Sequence, residues 1–450
     1  MTFKNNPQSG LSICVVGAGP SGLSAAKTFL QAGLDVTCFD GSPHIGGHWV
    51  IDNPTGRSSA YRSLRTNTTK KMSRFSDFDW PDDWPEFPGF DQVREWLESY
   101  VDHFGFRRHI QLSTEVVKAE PLETGGWQIS LRGTDGADRV ERFDALVAAS
   151  GTYWDRKMPQ WPGHFEGQII HAQDYRSPDA LVVADKHVMV VGIGNTGCEL
   201  ACELSGSTAA SVSLSARSGT WILPKTVDGV PASESVPMTH PTDPVPGALV
   251  ELSEKQRDNA VMVMASAAIK EHHSKRMQRF EAHGLPSAPE HPFLKRPTIS
   301  QDLLACLESG QLRAKPDIAR LDGDAVIFAD GARLDMDVLI CATGYHLSYP
   351  YLAADIADTR ADDLDLFCGI MPSDRRDLFY IGVGRPFGAF WPIAEAQAQF
   401  VAALLAGDYV LPAQEEIVRR TVPTLNRPAI TPGLYGLALR EELDRGRKRQ

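Results

Sequence analysis

LSICVVGAGPSG, residues 11–22, decides the fold. Leu11 to Val16 is an apolar run bounded by glycine, the pattern of a strand buried on both faces of a parallel sheet. Glycines at 17, 19 and 22 then open a helix over Leu23 to Ala32, Gly33 closes it, and Leu34 to Phe39 reads as a second strand ending at Asp40. Each glycine has a mechanical reason. Gly17 permits the tight turn, Gly19 lets the backbone approach a pyrophosphate, and Gly22 lets the helix sit close to the strand. Pro20 and Ser21 stand at the helix N-terminus, where unpaired N–H groups and the positive dipole end favour an anion. Asp40 is placed to accept hydrogen bonds from an adenosine ribose, or else to close a turn.

The pattern returns far along the chain. Val188 to Val191 leads into Gly192, Gly194, Asn195, Thr196 and Gly197, a helix through Leu204, and a second strand at Val212 to Leu214. That strand runs into Ser215-Ala216-Arg217, so an arginine stands where a carboxylate would select an unphosphorylated ribose. Arg217 is suited to pair with a 2′-phosphate, the alternative being a surface ion pair. The reading therefore places FAD in the first unit and NADPH in the second, with hydride passing between them.

The expected fold class is α/β, with two Rossmann-like dinucleotide-binding domains, the second inserted into the first. The boundaries read as 10–157 and 329–450 for a discontinuous FAD domain and 158–328 for the NADPH domain. A helical insertion at 230–300 begins with the Pro/Ser/Thr-rich stretch Val230 to Gly247 and continues as a helical segment from Ala248 to His283. Further along, Ser300 to Ser309 reads as helix, Ala325 to Phe328 and Val338 to Cys341 as strands, and a last helix starts near Ile393.

Working outward to the whole chain, 450 residues suggest about three domains. A net charge of −12 argues against nucleic acid or an anionic membrane surface as partner. The longest apolar runs, Asn259 to Ile269 and Ala396 to Gly407, fall well short of the roughly 20 residues that cross a bilayer. No secretory signal is expected in MTFKNNPQSG, and RGRKRQ at the end reads as a solvated basic terminus. The seven cysteines are odd in number and scattered, which offers neither a disulfide framework nor a zinc site and fits a reducing cytoplasm. Cys198 and Cys202, spaced four apart, share a helix face rather than forming a redox dithiol, and His272, His273 and His283 are too irregular for a metal.

FEGQIIHAQDY, with Phe165, Gly167, His171 and Tyr175 at fixed spacing, resembles the signature of the flavin-containing monooxygenases, and the likeness runs from about residue 11 to about 400. Supporting matches are Gly46-Gly47-His48-Trp49, the stretch Arg65 to Met72, Ser76-Asp77-Phe78 and Ala342-Thr343-Gly344-Tyr345. The related Baeyer–Villiger signature has tryptophan in place of Tyr175 and Pro or Asp in place of Arg176, which tilts the reading toward heteroatom oxidation.

The resemblance implies a soluble, cytoplasmic, bacterial-type enzyme whose cofactor carries the difficult chemistry. NADPH reduces FAD, dioxygen adds, and a C4a-hydroperoxyflavin passes one oxygen atom to a nucleophilic nitrogen or sulfur of a small amine or thioether. Asn67 matches the family's catalytic amide beside flavin and nicotinamide, against the plainer reading of an Asx turn. Gly47, His48, Trp49, Thr68, Val116, Thr343 and Gly344 join the cofactor-binding set, and Tyr175 is placed on the NADP⁺ side of the cleft or in linker packing. His171 is expected to hold the linker rather than to move a proton. Trp49 and the loop from Trp80 to Phe90 wall the pocket or belong to the core, while Val230 to Leu285 and Arg385 to Trp391 shape the substrate site. The alternatives are Baeyer–Villiger oxygenation of a ketone and a flavoprotein reductase or oxidase without oxygen transfer. A homodimer is compatible with all of these.

Overall fold

The computed structural model describes residues 10–134, 136–232, 236–357, 363–384, 386–424 and 431–449. Arg385 lies outside the described residues, as do the first nine. Two five-stranded sheets, each wholly parallel, organise the chain. The first runs Leu378–Tyr380, Ala145–Ala148, β1 (Ser12–Val16), β2 (Asp35–Phe39) and Ile110–Gln111, with helix α1 (Pro20–Gln31) joining β1 to β2. The second runs Gln168–His171, Val338–Cys341, β3 (His187–Val191), β4 (Ser211–Ser215) and Leu312–Lys315, with helix α2 (Asn195–Ser205) joining β3 to β4. Their central strands are buried almost throughout, which is why they read as unbroken apolar runs.

The two glycine turns repeat each other atom by atom. Gly17 N donates to the Phe39 carbonyl at 2.7 Å, and Gly192 N donates to the Ser215 carbonyl at 2.9 Å. Both first glycines have φ near +110°, and a Cβ on either would lie 2.6 Å from the carbonyl oxygen of the residue just past the neighbouring strand, Ala149 or Ala342. The third glycines, Gly22 and Gly197, are pressed against the carbonyls of Gly17 and Gly192, leaving no room for a side chain.

One strand moves relative to the expected domain boundaries. Val338–Cys341 sits in the second sheet between β3 and Gln168–His171, because its all-apolar sequence completes that buried layer. The chain therefore returns to the first domain after this strand and not near residue 329. Tyr345–His346 on the way back pairs antiparallel with Asp155–Arg156 on the way out, so the two crossings run side by side.

The insertion is a 29-residue helix, Glu254–Ala282, preceded by the short helix Gly247–Val250. The two are separate because Ser253 caps the longer one, its N–H donating to Gln256 Oε1 at 3.0 Å. The long helix reaches the other domain, where Arg257 Nη2 donates to both carboxylate oxygens of Glu441 at 2.6 Å. The helix near Ile393 is Trp391–Leu405, and two more follow it, Gln414–Arg420 and Pro432–Arg447. The basic terminus is tied down, since Arg445 and Arg449 both bond to Glu442, which is fully buried. Among the described residues no helix is long and apolar enough to cross a membrane.

Candidate functional site

Both glycine turns open into one cavity of about 730 Å³ at the C-terminal ends of the two sheets. Open parallel sheets place their binding crevices there because the helices that follow the strands turn their positive ends toward it. α1 and α2 begin at Gly19 and Gly194 with no side-chain cap, so their first N–H groups are left for an anion. Gly194 has nothing within 4 Å of where a Cβ would project, a cradle that a side chain would fill. The first cradle differs in one respect. Gly19 backs onto the Gly46-Gly47 loop, Gly47 itself lines the cavity, and a Cβ there would sit 3.0 Å from Gly19 Cα.

Of the residues expected in the site, the cavity wall holds Gly17, Pro20, Ser21, Asp40, Gly47, His48, Trp49, Asn67, Thr68, Val116, Gly194, Asn195, Thr196, Gly197 and Gly344. Asp40 Oδ2 accepts Ala18 N–H at 2.7 Å and Oδ1 accepts Ser42 N–H at 2.8 Å. Burial raises this carboxyl above its ordinary value, and the two backbone donors and Arg57 oppose the rise. Burial also pushes the His48 imidazole down to about 4, and its Nδ1 meets Ser59 Oγ at 2.7 Å. Asn195 Oδ1 accepts Ile299 N–H at 2.9 Å, which anchors the second cradle to the end of the insertion.

Other expectations are corrected. Tyr175 does not face the cavity: it is 1 % exposed and its hydroxyl donates to Glu203 on α2 at 2.8 Å, because a buried phenol needs an acceptor and the helix supplies one. Ser215 is also buried, its hydroxyl spent on the Pro316 carbonyl at 2.8 Å. Thr343 ties the crossings together by donating to the Lys157 carbonyl at 2.6 Å. Trp80 belongs to the core, stacked on Trp96 with ring centroids 4.2 Å apart. Gly19, Gly22 and Gly192 shape the turns from behind the wall. Arg217 is exposed beyond the end of β4, outside the wall, and has no ion-pair partner among the described residues.

His171 has both ring nitrogens committed. Nδ1 accepts Gln173 N–H at 3.2 Å and Nε2 faces the Gly344 carbonyl at 3.1 Å, so the imidazole is neutral with its proton on Nε2. Burial lowers its pKa, in keeping with that state. Cys198 is buried and donates to the Ile193 carbonyl at 3.6 Å, and among the described residues all seven cysteines are free thiols.

The cavity wall also holds residues beyond the expected cofactor-binding set. Trp391 forms a T-shaped pair with Trp49, centroids 5.8 Å apart, and Arg296 reaches Tyr153 Oη at 3.2 Å. Glu199 joins them from α2 and Tyr61 from the first domain's loop. Glu199 had a readable signal, standing three positions after Thr196 on the same helix face. Trp391 closes the stretch from Arg385 expected to shape the substrate site, but its pairing with Trp49 is not marked by anything local in the sequence.

Two dinucleotide cradles sharing one crevice define a two-cofactor oxidoreductase architecture. A match to the flavin-binding monooxygenase-like family spans residues 10–427, and the chain belongs to that family. Its cofactors are FAD and NADPH, and it is a flavin-dependent monooxygenase. Flavin-containing monooxygenase 5 of Rattus norvegicus is 34 % identical over 421 residues, covering 90 % of this chain and 75 % of that one. Among solved structures, ε-caprolactone-bound cyclohexanone monooxygenase superposes with a TM-score of 0.71 at 20 % identity, covering 97 % of this chain and 98 % of that one. S-allyl-L-cysteine S-oxygenase from Allium sativum gives 0.61 at 22 %, covering 91 % and 80 %. These last two likenesses speak for the fold.

Proposed function

We propose that the protein transfers one oxygen atom of O₂ to a nucleophilic nitrogen or sulfur of a small organic substrate, such as an amine or thioether. The observation that carries this reading is the shared cavity, with Asn67 in its wall and Asn67 Oδ1 buried there without a hydrogen-bond partner. A buried amide oxygen left unpaired costs about 1–3 kcal/mol, which a bound donor recovers. The first cradle would hold FAD and the second NADPH, and bound there they would supply the electrons that activate dioxygen. The α1 and α2 N-termini hold the two pyrophosphates and Asp40 the adenosine ribose. Arg217 holds the 2′-phosphate from outside the wall. Trp49, Trp391 and Ala389 form an apolar stretch that keeps water from the reacting centre. His171 positions the linker and moves no proton.

A second reading, oxygenation of a ketone, is compatible with the fold shared with cyclohexanone monooxygenase. Tyr175-Arg176 in the signature weighs against it. The test is NADPH and oxygen consumption with mass-spectrometric product analysis for a tertiary amine, a thioether, an indole and a ketone, with peroxide release measured alongside. An N-oxide or S-oxide supports the proposal. An ester from the ketone alone would replace it with the second reading, and peroxide alone from every compound would make the protein an NADPH oxidase.

A further inference from the structure

The wall between the two cradles contains a cross-domain cluster that the cofactor assignments leave unused. Glu199 on α2 takes a hydrogen bond from the phenol of Tyr61 through Oε2, while its Oε1 lies 3.7 Å from Lys225 Nζ. Lys225 donates in turn to the Thr66 carbonyl at 3.3 Å, one residue before Asn67. Asn67 shares the cavity wall with this Glu199 carboxylate, whose Oε1 is buried without a hydrogen-bond partner. Asn67 Oδ1 is likewise buried without a partner, and because a carboxylate only accepts, Nδ2 is the only atom of the amide that can bond to it. Burial raises the Glu199 pKa, with Lys225, Tyr61 and Asn67 opposing the rise. The loop 61–67 comes from the first domain, whereas Glu199 and Lys225 come from the second.

An isolated amide at this place has two orientations of similar energy, presenting either its oxygen or its N–H₂ to the cavity. The acceptor at Glu199 removes that degeneracy. We propose that Glu199 is a positioning residue for Asn67: by taking its N–H it aims Oδ1 at a donor of the dinucleotide's nicotinamide riboside end, and this orientation exists only when the two domains are together. The inference rests on the reading of Asn67 given above. It adds that the amide is oriented by a group on the other domain, which makes closure of the crevice and assembly of the site one event.

The test titrates NADP⁺ into the FAD-loaded wild type and into Glu199→Gln, Asn67→Ala and the double variant, reading the perturbation of the flavin spectrum. Glutamine is isosteric and accepts from Tyr61, but it supplies its own N–H₂ and so releases the amide orientation. Glu199→Gln is expected to weaken NADP⁺ by roughly tenfold, Asn67→Ala by a similar factor, and the double variant by no more than Asn67→Ala alone. Titration with 2′,5′-ADP, which occupies the second cradle without a nicotinamide, is expected to give equal affinities in all four proteins. An unchanged NADP⁺ affinity in Glu199→Gln, losses that multiply in the double variant, or equal weakening of 2′,5′-ADP would each overturn the proposal. The readout is binding, so it is separate from product analysis. A wild type that releases only peroxide would end the oxygenation reading and leave Glu199 to be decided by these affinities.

Discussion

Asp40 at the end of β2 holds the backbone N–H of Ala18 at 2.7 Å, so the carboxylate beside the first cradle is also a brace for the glycine turn itself. The second oxygen braces Ser42 in the same way. A residue that the sequence offers as a ribose ligand thus has a structural task before any ligand arrives. Asp40→Ala removes both, and it is expected to abolish FAD retention and to lower the melting temperature of the FAD-free protein as well. Asp40→Asn keeps one acceptor and is expected to retain more of the stability than of the flavin. Flavin content and thermal unfolding, measured together, separate the two tasks. Normal FAD content in Asp40→Ala would contradict the ribose assignment.

The glycines of the second turn divide into two kinds. A methyl group on Gly197 would collide with the Gly192 carbonyl, which is backbone and has nowhere to go, whereas one on Gly194 would meet nothing within 4 Å. Gly197→Ala is expected to cost about 1–3 kcal/mol of stability, and Gly194→Ala to fold normally while weakening NADPH at least tenfold. Denaturant unfolding and NADPH titration would show the split, and equal stability of the two variants would refute it.

Arg217 is exposed and has no ion-pair partner among the described residues, which suits a group that binds a phosphate. Arg217→Ala is expected to raise KM for NADPH by about tenfold or more and to leave KM for NADH unchanged. Equal losses for both nucleotides would remove the 2′-phosphate role.

Asn67→Ala is expected to leave flavin reduction by NADPH within a few-fold of the wild type and to divert most turnover to hydrogen peroxide. The ratio of oxygenated product to NADPH consumed measures this, and a wild-type ratio in the variant would sink the assigned role.

His48 carries a pH signature. The unfolded chain binds a proton near pH 6.5, and the folded ring resists it until about 4. Stability from this group is therefore complete above about 6.5 and is lost as the pH falls toward 4. The shift is worth at most about 3 kcal/mol, less whatever solvent reaches the ring. His48→Gln is expected to flatten the fall in melting temperature between these limits relative to the wild type. Parallel pH profiles for the two proteins would count against a half-buried, neutral His48.

Much of the molecule was readable along the chain. β1, α1, β2 and their counterparts β3, α2 and β4 follow from buried apolar runs interrupted by glycine, since strand burial and turn sterics are local demands. The carboxylate at Asp40 and the arginine at 217 are likewise positions at strand ends, and a strand end is legible. For Tyr175 and Trp80 the sequence left two placements open, cavity or packing, because the residue type does not say which way the side chain faces. Tyr175 turned to Glu203 and Trp80 to Trp96, and those partners lie 28 and 16 positions away.

By itself, then, the sequence determined two dinucleotide turns, the elements that carry them and the likeness to a flavoprotein family. Only the tertiary structure decided that Val338–Cys341 completes the second sheet, that Trp391 packs edge-on against Trp49 in the cavity wall, and that Glu199 of one domain shares that wall with Asn67 of the other. The reason is physical. Backbone turns and buried strands are set by neighbours in sequence, whereas the orientation of a side chain in a crevice is set by whichever distant group satisfies its polar atoms once the domains are folded.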